Sequence, residues 1–290
     1  MTAEHDSLQR FLFENAPIRG ERVHLDASQV SALEHHNYPP ALRRIMGELC
    51  AAAVLLAATL KLEGSLALQI QGNGPVRLLV VECSGELALR ATAKWEGEIS
   101  GGLQDIVGEG RFAITLDQKN GQTYQGIVEL EGASVAEILQ NYMTRSEQLE
   151  TRLWLSSDGN SSSGLLLQML PEEESIDPDA WNRVNHLAST LKGDELAGLS
   201  TREILRRLFH EEDLRIFDAQ PVYFRCTCSR EKVANMLKVL GAEEVSDILA
   251  ERGSIEVHCE FCNRRYEFDA VDAAQLFTEG FPGAPNRSRH

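Results

Sequence analysis

The chain has 290 residues, enough for about two domains, and its 43% hydrophobic content is that of an ordinary globular protein. Its charge is less ordinary: 28 basic against 44 acidic side chains leave a net −16. A surface that negative repels phosphate backbones, which weighs against nucleic acid as a partner.

The first ten residues, MTAEHDSLQR, are charged and lack an apolar core, so they do not read as an export signal. The longest apolar run, Leu49–Leu60, is too short to span a bilayer and lies between Glu48 and Lys61. It reads as a buried core helix. A cytoplasmic protein with no membrane attachment is therefore expected. Cys50, inside that run, and Cys83, beside a turn, read as inert packing residues. His35-His36 reads as a surface pair.

From Gly64 the apolar pattern changes to a period of two. Leu66, Leu68 and Ile70 alternate, Gly72-Asn73-Gly74-Pro75 turns the chain, and Leu87, Leu89, Ala91 and Ala93 alternate again. A second hairpin has Phe112, Ile114 and Leu116 on one arm, Asn120-Gly121 at the turn and Tyr124 to Leu130 on the other. Ser134 and Glu137 form a capping box ahead of Val135, Ile138, Leu139 and Tyr142, which share one helix face. Residues 151–170, TRLWLSSDGNSSSGLLLQML, close the domain as a further hairpin. The expected class is α+β, with 1–170 an antiparallel-sheet domain with packed helices.

Composition shifts at residues 171–179, PEEESIDPD. Asp177-Pro178 starts a helix with Trp181, Val184, Ala188 and Leu191 in a stripe, and Lys192-Gly193 stops it. Ser200 and Glu203 cap another, ahead of Ile204, Leu205, Leu208 and Phe209. Helices this short are marginal alone. Residues 171–225 therefore read either as a plain connector, the simpler reading of the pattern, or as a metastable helical linker folded only while docked. Residues 226–279 form a small cysteine module with helices predicted over 230–241 and 245–253. Residues 280–290 read as a disordered tail.

Four of the six cysteines fall in that module: Cys226 and Cys228 as C-x-C, Cys259 and Cys262 as C-x-x-C. Two short-spaced pairs are the usual way to deliver four thiolates to zinc, and a site closed by four thiolates has no open position for water or substrate. One Zn2+ per chain is expected, and zinc hydrolysis is not. Arg225, Arg230, Lys232, Arg264 and Arg265 stand beside the pairs and can offset the formal −2 of four thiolates around a divalent ion. His258 reads as a flanking residue. The metal can be purely structural. Each pair is also close enough in sequence to form its own disulfide, C-x-x-C readily and C-x-C only with a local bend. Loss of zinc, worth about 10–16 kcal/mol in zinc-finger peptides, exceeds what a small module can spare. An order-to-disorder switch is the competing reading.

The stretches CTCSREK and CEFC, with LFHEEDLRIFDAQPVYF before them, resemble the redox-regulated 33 kDa chaperonin, the heat shock protein 33 family of bacteria. FLFENAPIRGE, LQIQGNGP, YQGIVELEG and YMTRSEQLETRL extend the resemblance over nearly the whole chain. It implies a cytosolic, ATP-independent holdase, not an enzyme, that binds unfolding proteins and prevents their aggregation under oxidative stress. It implies 1–170 as the chaperone core, 171–225 as the metastable linker and 226–279 as the redox-switch domain. The reduced form is then inactive and holds zinc through Cys226, Cys228, Cys259 and Cys262. The oxidised form carries Cys226–Cys228 and Cys259–Cys262 disulfides, has released zinc, has lost structure over 171–225, and works as a homodimer.

Other signals are thin. QGNGP and GEGR lack the spacing and the Lys-Ser/Thr of a P-loop, in keeping with no nucleotide. His210-Glu211-Glu212 is not H-E-x-x-H and reads as a solvated helix end. Two rival classes stay open. A structural zinc ribbon binding nucleic acid or a partner protein needs a basic face, yet residues 226–290 carry eight basic and 11 acidic side chains. A thiol–disulfide oxidoreductase needs C-x-x-C at a helix start, yet here the pair lies between SIEVH and RRYEF.

Overall fold

The computed structural model describes residues 5–60, 63–118, 121, 123–171 and 177–278. The predicted turn residue Asn120, most of the acidic stretch after Pro171 and the predicted tail 280–290 lie outside them. The chain divides into two compact units, Met1–Arg225 and Cys226–His290.

The first unit opens with β1 (Ser7–Phe13) and β2 (Ile18–Leu25), then α1 (Ala27–Leu33) and the long α2 (Pro40–Thr59). A meander follows: β3 (Ser65–Gly72), β4 (Val76–Ser84), β5 (Ala88–Trp95), the short α3 (Leu103–Val107), β6 (Gly110–Asp117) and β7 (Tyr124–Glu129). Next come α4 (Val135–Arg145), β8 (Thr151–Ser157) and β9 (Ser162–Met169). The unit ends with α5 (Ala180–Ala188), α6 (Gly193–Gly198), α7 (Thr201–Phe209) and three short strands, β10 (Leu214–Ile216), β11 (Gln220–Pro221) and β12 (Tyr223–Phe224).

Two sheets result. One runs β10-β1-β2-β9-β8 with β11 also on β1, and the other β12-β5-β4-β3-β6-β7. Helix α2 lies between them, and 16 of its 20 residues are buried. Its Ala- and Leu-rich run, apolar on every face, suits a helix enclosed on all sides. The mixed α+β class expected from the sequence is the one observed. Every pairing among the described strands is antiparallel except β12 on β5.

The β1-β2-β9 sheet is covered on its other face as well. Helices α5 to α7 set Val184, Ala188, Leu191, Ile204, Leu205, Leu208 and Phe209 against Phe11, Phe13, Ile18, Leu165 and Leu167. Phe209 meets Phe13 edge-on at 5.2 Å between centroids and lies 6.5 Å from Phe11. Gly20 makes this possible, since a Cβ there would fall 2.0 Å from the Phe11 ring. Arg22, buried in β2, donates to the carbonyls of Leu196 (3.3 Å) and Leu199 (2.8 Å) at the end of α6. Those carbonyls have no partner inside their own helix, so the arginine ties helix to sheet. Residues 180–209 are thus docked by an apolar stripe and a buried cation, not strung out as a plain connector.

Some local expectations change. Helix ends at Phe209, and residues 214–224, read as helical linker, supply strands that bind both sheets: β10 and β11 to β1, β12 to β5. His35 and His36 are half-buried, stacked on Phe224 (5.6 Å) and Tyr38 (5.4 Å), so they are not a surface pair. Ser134 accepts from Glu137 N as a cap should, but the Glu137 carboxylate reaches back one residue further, to Ala133 N.

Glu21 is 2% exposed in β2, and one of its carboxylate oxygens has no hydrogen-bond partner. Burial pushes it up to about 8, against the opposing pull of Arg19 and Arg10. A folded value above the unfolded one means stability is intact below about pH 4.5 and is lost as pH rises through 8. Glu21→Gln should therefore melt higher than the parent at pH 8.5 and close to it at pH 5. Thermal melts at the two pH values check this, and an equal gain at both would contradict it.

Candidate thiolate metal and redox centre

The second unit is α8 (Arg230–Leu240), α9 (Ala242–Arg252), the hairpin β13 (Ile255–His258) and β14 (Arg265–Phe268), and α10 (Ala270–Thr278). Helix α9 starts three residues before its predicted place, because Gly241, at φ 103°, both ends α8 and begins α9. A small core of Leu237, Val245, Ile255, Tyr266, Phe268 and Ala273 holds these elements together.

The two cysteine pairs are placed by different devices. Cys226 and Cys228 lie in extended chain just ahead of α8, whose N-cap, Ser229, accepts from Lys232 N at 3.2 Å. Cys228 therefore sits at the positive end of a helix dipole, where an anion is favoured. Cys259 and Cys262 lie in the tight turn of the hairpin. Asn263 N donates to Cys259 O (2.8 Å), Cys259 N donates to Arg264 O (3.0 Å), and Asn263 takes a left-handed φ of 51°. Asn tolerates that conformation better than most residues, which lets the turn close.

All four Sγ atoms lie within 4.8 Å of one another. Cys226 and Cys259 are 3.6 Å apart, Cys228 and Cys262 3.4 Å. With zinc–sulfur bonds of about 2.3 Å, a tetrahedron has edges of roughly 3.8 Å, so this set of soft donors fits a zinc ion. His258 is outside the cluster and pairs with Glu256 at 3.3 Å.

The sulfurs are not equivalent. Burial pushes the Cys226 and Cys262 thiols up, with backbone N–H bonds from Cys228 and Arg264 pulling the other way. Burial also opposes the Cys228 thiolate, but hydrogen bonds from the Tyr266 hydroxyl (3.1 Å) and the other cysteines outweigh it and bring it down to about 7. The same bond to Cys228 raises the Tyr266 phenol to about 12. Tyr266 was not among the residues singled out in the sequence. Its signal was there: it alternates with Phe268 on the inner face of β14, four residues past Cys262.

Three of the five neighbouring cations are engaged elsewhere, while Arg264 acts on the Tyr266 phenol. Arg225 pairs with Glu86 (3.0 Å), and Arg265 pairs with Glu256 (2.5 Å) and Glu267 (3.0 Å). Arg230 pairs with Asp272 (2.7 Å) and stacks 4.2 Å above the Phe268 ring. Backbone N–H groups, the Tyr266 hydroxyl and the α8 terminus face the sulfurs. Cys50 and Cys83 are buried in the first unit, and burial pushes both thiols up to about 12. They are packing groups with little thiolate at neutral pH.

An α+β unit followed by a small module that gathers four cysteines defines a protein built around a thiolate centre. The sequence model of the family described as "Hsp33 protein" matches residues 6–269. The 33 kDa chaperonin of Methylobacillus flagellatus is 55% identical, over 98% of this chain and 99% of its own length. That of Chromobacterium violaceum is 50% identical, over 99% and 98%. The crystal structure of the 33 kDa chaperonin from Thermotoga maritima superposes with a TM-score of 0.83 over 94% of this chain and 98% of its own, at 23% identity, which shows a shared fold. The chain belongs to the Hsp33 family. Among the described residues, no helix is long and apolar enough to cross a membrane.

Proposed function

We propose that this protein is a redox-regulated, ATP-independent holdase of the cytoplasm, silent when reduced and active when its four module cysteines are oxidised. The observation that carries the reading is the convergence of Cys226, Cys228, Cys259 and Cys262 within 4.8 Å in a module with so small a core of its own. When bound, one zinc ion would supply the tetrahedral cross-link between the α8 entry and the hairpin.

The chain's own groups do the rest. Forming each disulfide removes two electrons from two thiolates; an oxidant such as a peroxide accepts them, its O–O bond breaks, and its two oxygens leave as hydroxide. Disulfides within each pair leave nothing to join Cys226 and Cys228 to Cys259 and Cys262. The small core of the module then has to stand alone, and domains of about this size are only marginally stable. Cys226 follows β12 by a single residue, so disorder in the module frays the strands of 214–224 and then α5 to α7. Undocking exposes the apolar face of β1, β2 and β9 together with the linker stripe, and a broad apolar surface is what captures an unfolding chain. In this reading the active form is a homodimer and its partners are unfolding proteins, with no nucleic acid and no membrane.

The pairing of the disulfides tests this directly. Two sulfur contacts in the structure are cross-pairs, Cys226 with Cys259 at 3.6 Å and Cys228 with Cys262 at 3.4 Å. Such bridges would keep the module stapled. Peptide mapping after peroxide treatment should instead find Cys226 with Cys228 and Cys259 with Cys262, the bridges that close the shortest loops, and Cys50 and Cys83 as free thiols. Dominant cross-pairs would contradict the switch. Zinc content and suppression of client aggregation, measured side by side on reduced and oxidised protein, test the function itself. Zinc-loaded and inactive when reduced, zinc-free and protective when oxidised, is the expected result.

The oxidoreductase alternative finds no support, because Cys259 and Cys262 occupy a hairpin turn and not a helix start.

A further inference from the structure

Tyr266 lies in β14 opposite Val257 of β13, with its ring in the core of the second unit beside Leu237, Ile255 and Phe268. Only 8% of the residue is exposed, while its hydroxyl reaches Cys228 Sγ at 3.1 Å. The phenol has one proton, and this geometry gives it to sulfur. A thiolate that accepts a hydrogen bond holds less charge for attack on an electrophile, and an O–H to an anion is among the stronger hydrogen bonds. We propose that Tyr266 is a positioning residue that shields Cys228 as a thiolate and sets how readily the centre is oxidised.

The same contact ties sulfur chemistry to packing. In the oxidation step the thiolate sulfur attacks a peroxide oxygen, the O–O bond breaks and hydroxide leaves. A second cysteine thiolate then displaces the oxygen from sulfur as hydroxide, forming the S–S bond. The two sulfurs lose two electrons and the peroxide gains them. A disulfide sulfur is a far weaker acceptor than a thiolate, so the part-buried Tyr266 hydroxyl then loses its good partner while its ring stays in the core. Tyr266 thus converts loss of charge on Cys228 into loss of stability in the residues packed around it. This rests on the thiolate-switch reading above and adds the residue that sets its threshold.

Tyr266→Phe removes the hydroxyl and keeps the ring. With the full chain loaded with Co2+ in place of zinc, the sulfur-to-cobalt charge-transfer band should shift, because one sulfur has lost its donor. With zinc-loaded protein and hydrogen peroxide, thiol loss and metal release, followed by a metallochromic dye, should quicken by about three- to tenfold, the factor one hydrogen bond is worth in a rate. A folded Tyr266→Phe with the parent's band and rate overturns the inference. Site-specific 3-fluorotyrosine at position 266, a stronger donor of nearly the same shape, should slow the reaction, and an unchanged rate there overturns it even if Tyr266→Phe fails to fold. A parent chain that binds neither metal overturns the switch reading itself, and this inference with it.

Discussion

The Leu208→Asp variant is expected to suppress aggregation of a heat-labile client under fully reducing conditions, where the parent protein does not. Leu208 is 3% exposed, on the face of α7 that meets Phe11, Phe13 and Ile18. Losing a buried leucine costs about 1.5–3 kcal/mol, and a carboxylate placed there without a partner costs more. Helices α5, α6 and α7 have nine, six and nine residues, too few to persist once undocked. One substitution should therefore free the whole segment while α2 and the second sheet stay folded. On the proposed coupling between thiols and linker, deleting residues 226–290 should have the same effect. Val239→Asp, at a position 88% exposed, is the control and should leave the protein silent. If both test variants fold but protect nothing while reduced, the linker is a passive connector and the switch lies elsewhere.

Replacing any one of Cys226, Cys228, Cys259 or Cys262 with Ser should weaken zinc binding by several orders of magnitude. A hydroxyl does not ionise near neutral pH and is a poor ligand for a soft site. Because metal affinity and module folding are one free energy, each variant should also lose the helical signal of α8 to α10 on chelation at far lower chelator concentration. Competition with a chromophoric chelator gives the affinities. A variant with the parent's affinity would remove that cysteine from the site. Cys50→Ser and Cys83→Ser, buried in the first unit and not members of the four-sulfur cluster, should bind zinc as the parent does.

The cysteines were legible because their spacing is local, and so was the meander, whose strands bury one face and alternate. The first two strands were not legible, for a physical reason. β2 is buried on both faces, one under α2 and the other under the linker, and it carries Glu21 and Arg22 inside, so no period of two survives. Strands β10 to β12 have two or three residues each, too short for any pattern, and exist because β1 and β5 offer edges to pair with. The start of α10 has a local signal in Asp269, which accepts from Val271 N and Asp272 N, both at 2.8 Å. The linker's stripe was visible in sequence, but its partner surface was not, since contacts such as Phe209 with Phe13 and Arg22 with Leu199 join residues far apart in the chain. Tyr266 escaped for a related reason. One phenol among core aromatics is marked only by the sulfur it touches.

Hydrogen–deuterium exchange read peptide by peptide, on the reduced zinc-loaded protein and on the same protein after peroxide, tests the coupling between thiols and linker most directly. The expected result is loss of protection across residues 180–209 and 214–278, with α2 and β3 to β6 unchanged. Protection that persists over 180–209 while all four module cysteines are oxidised would contradict it.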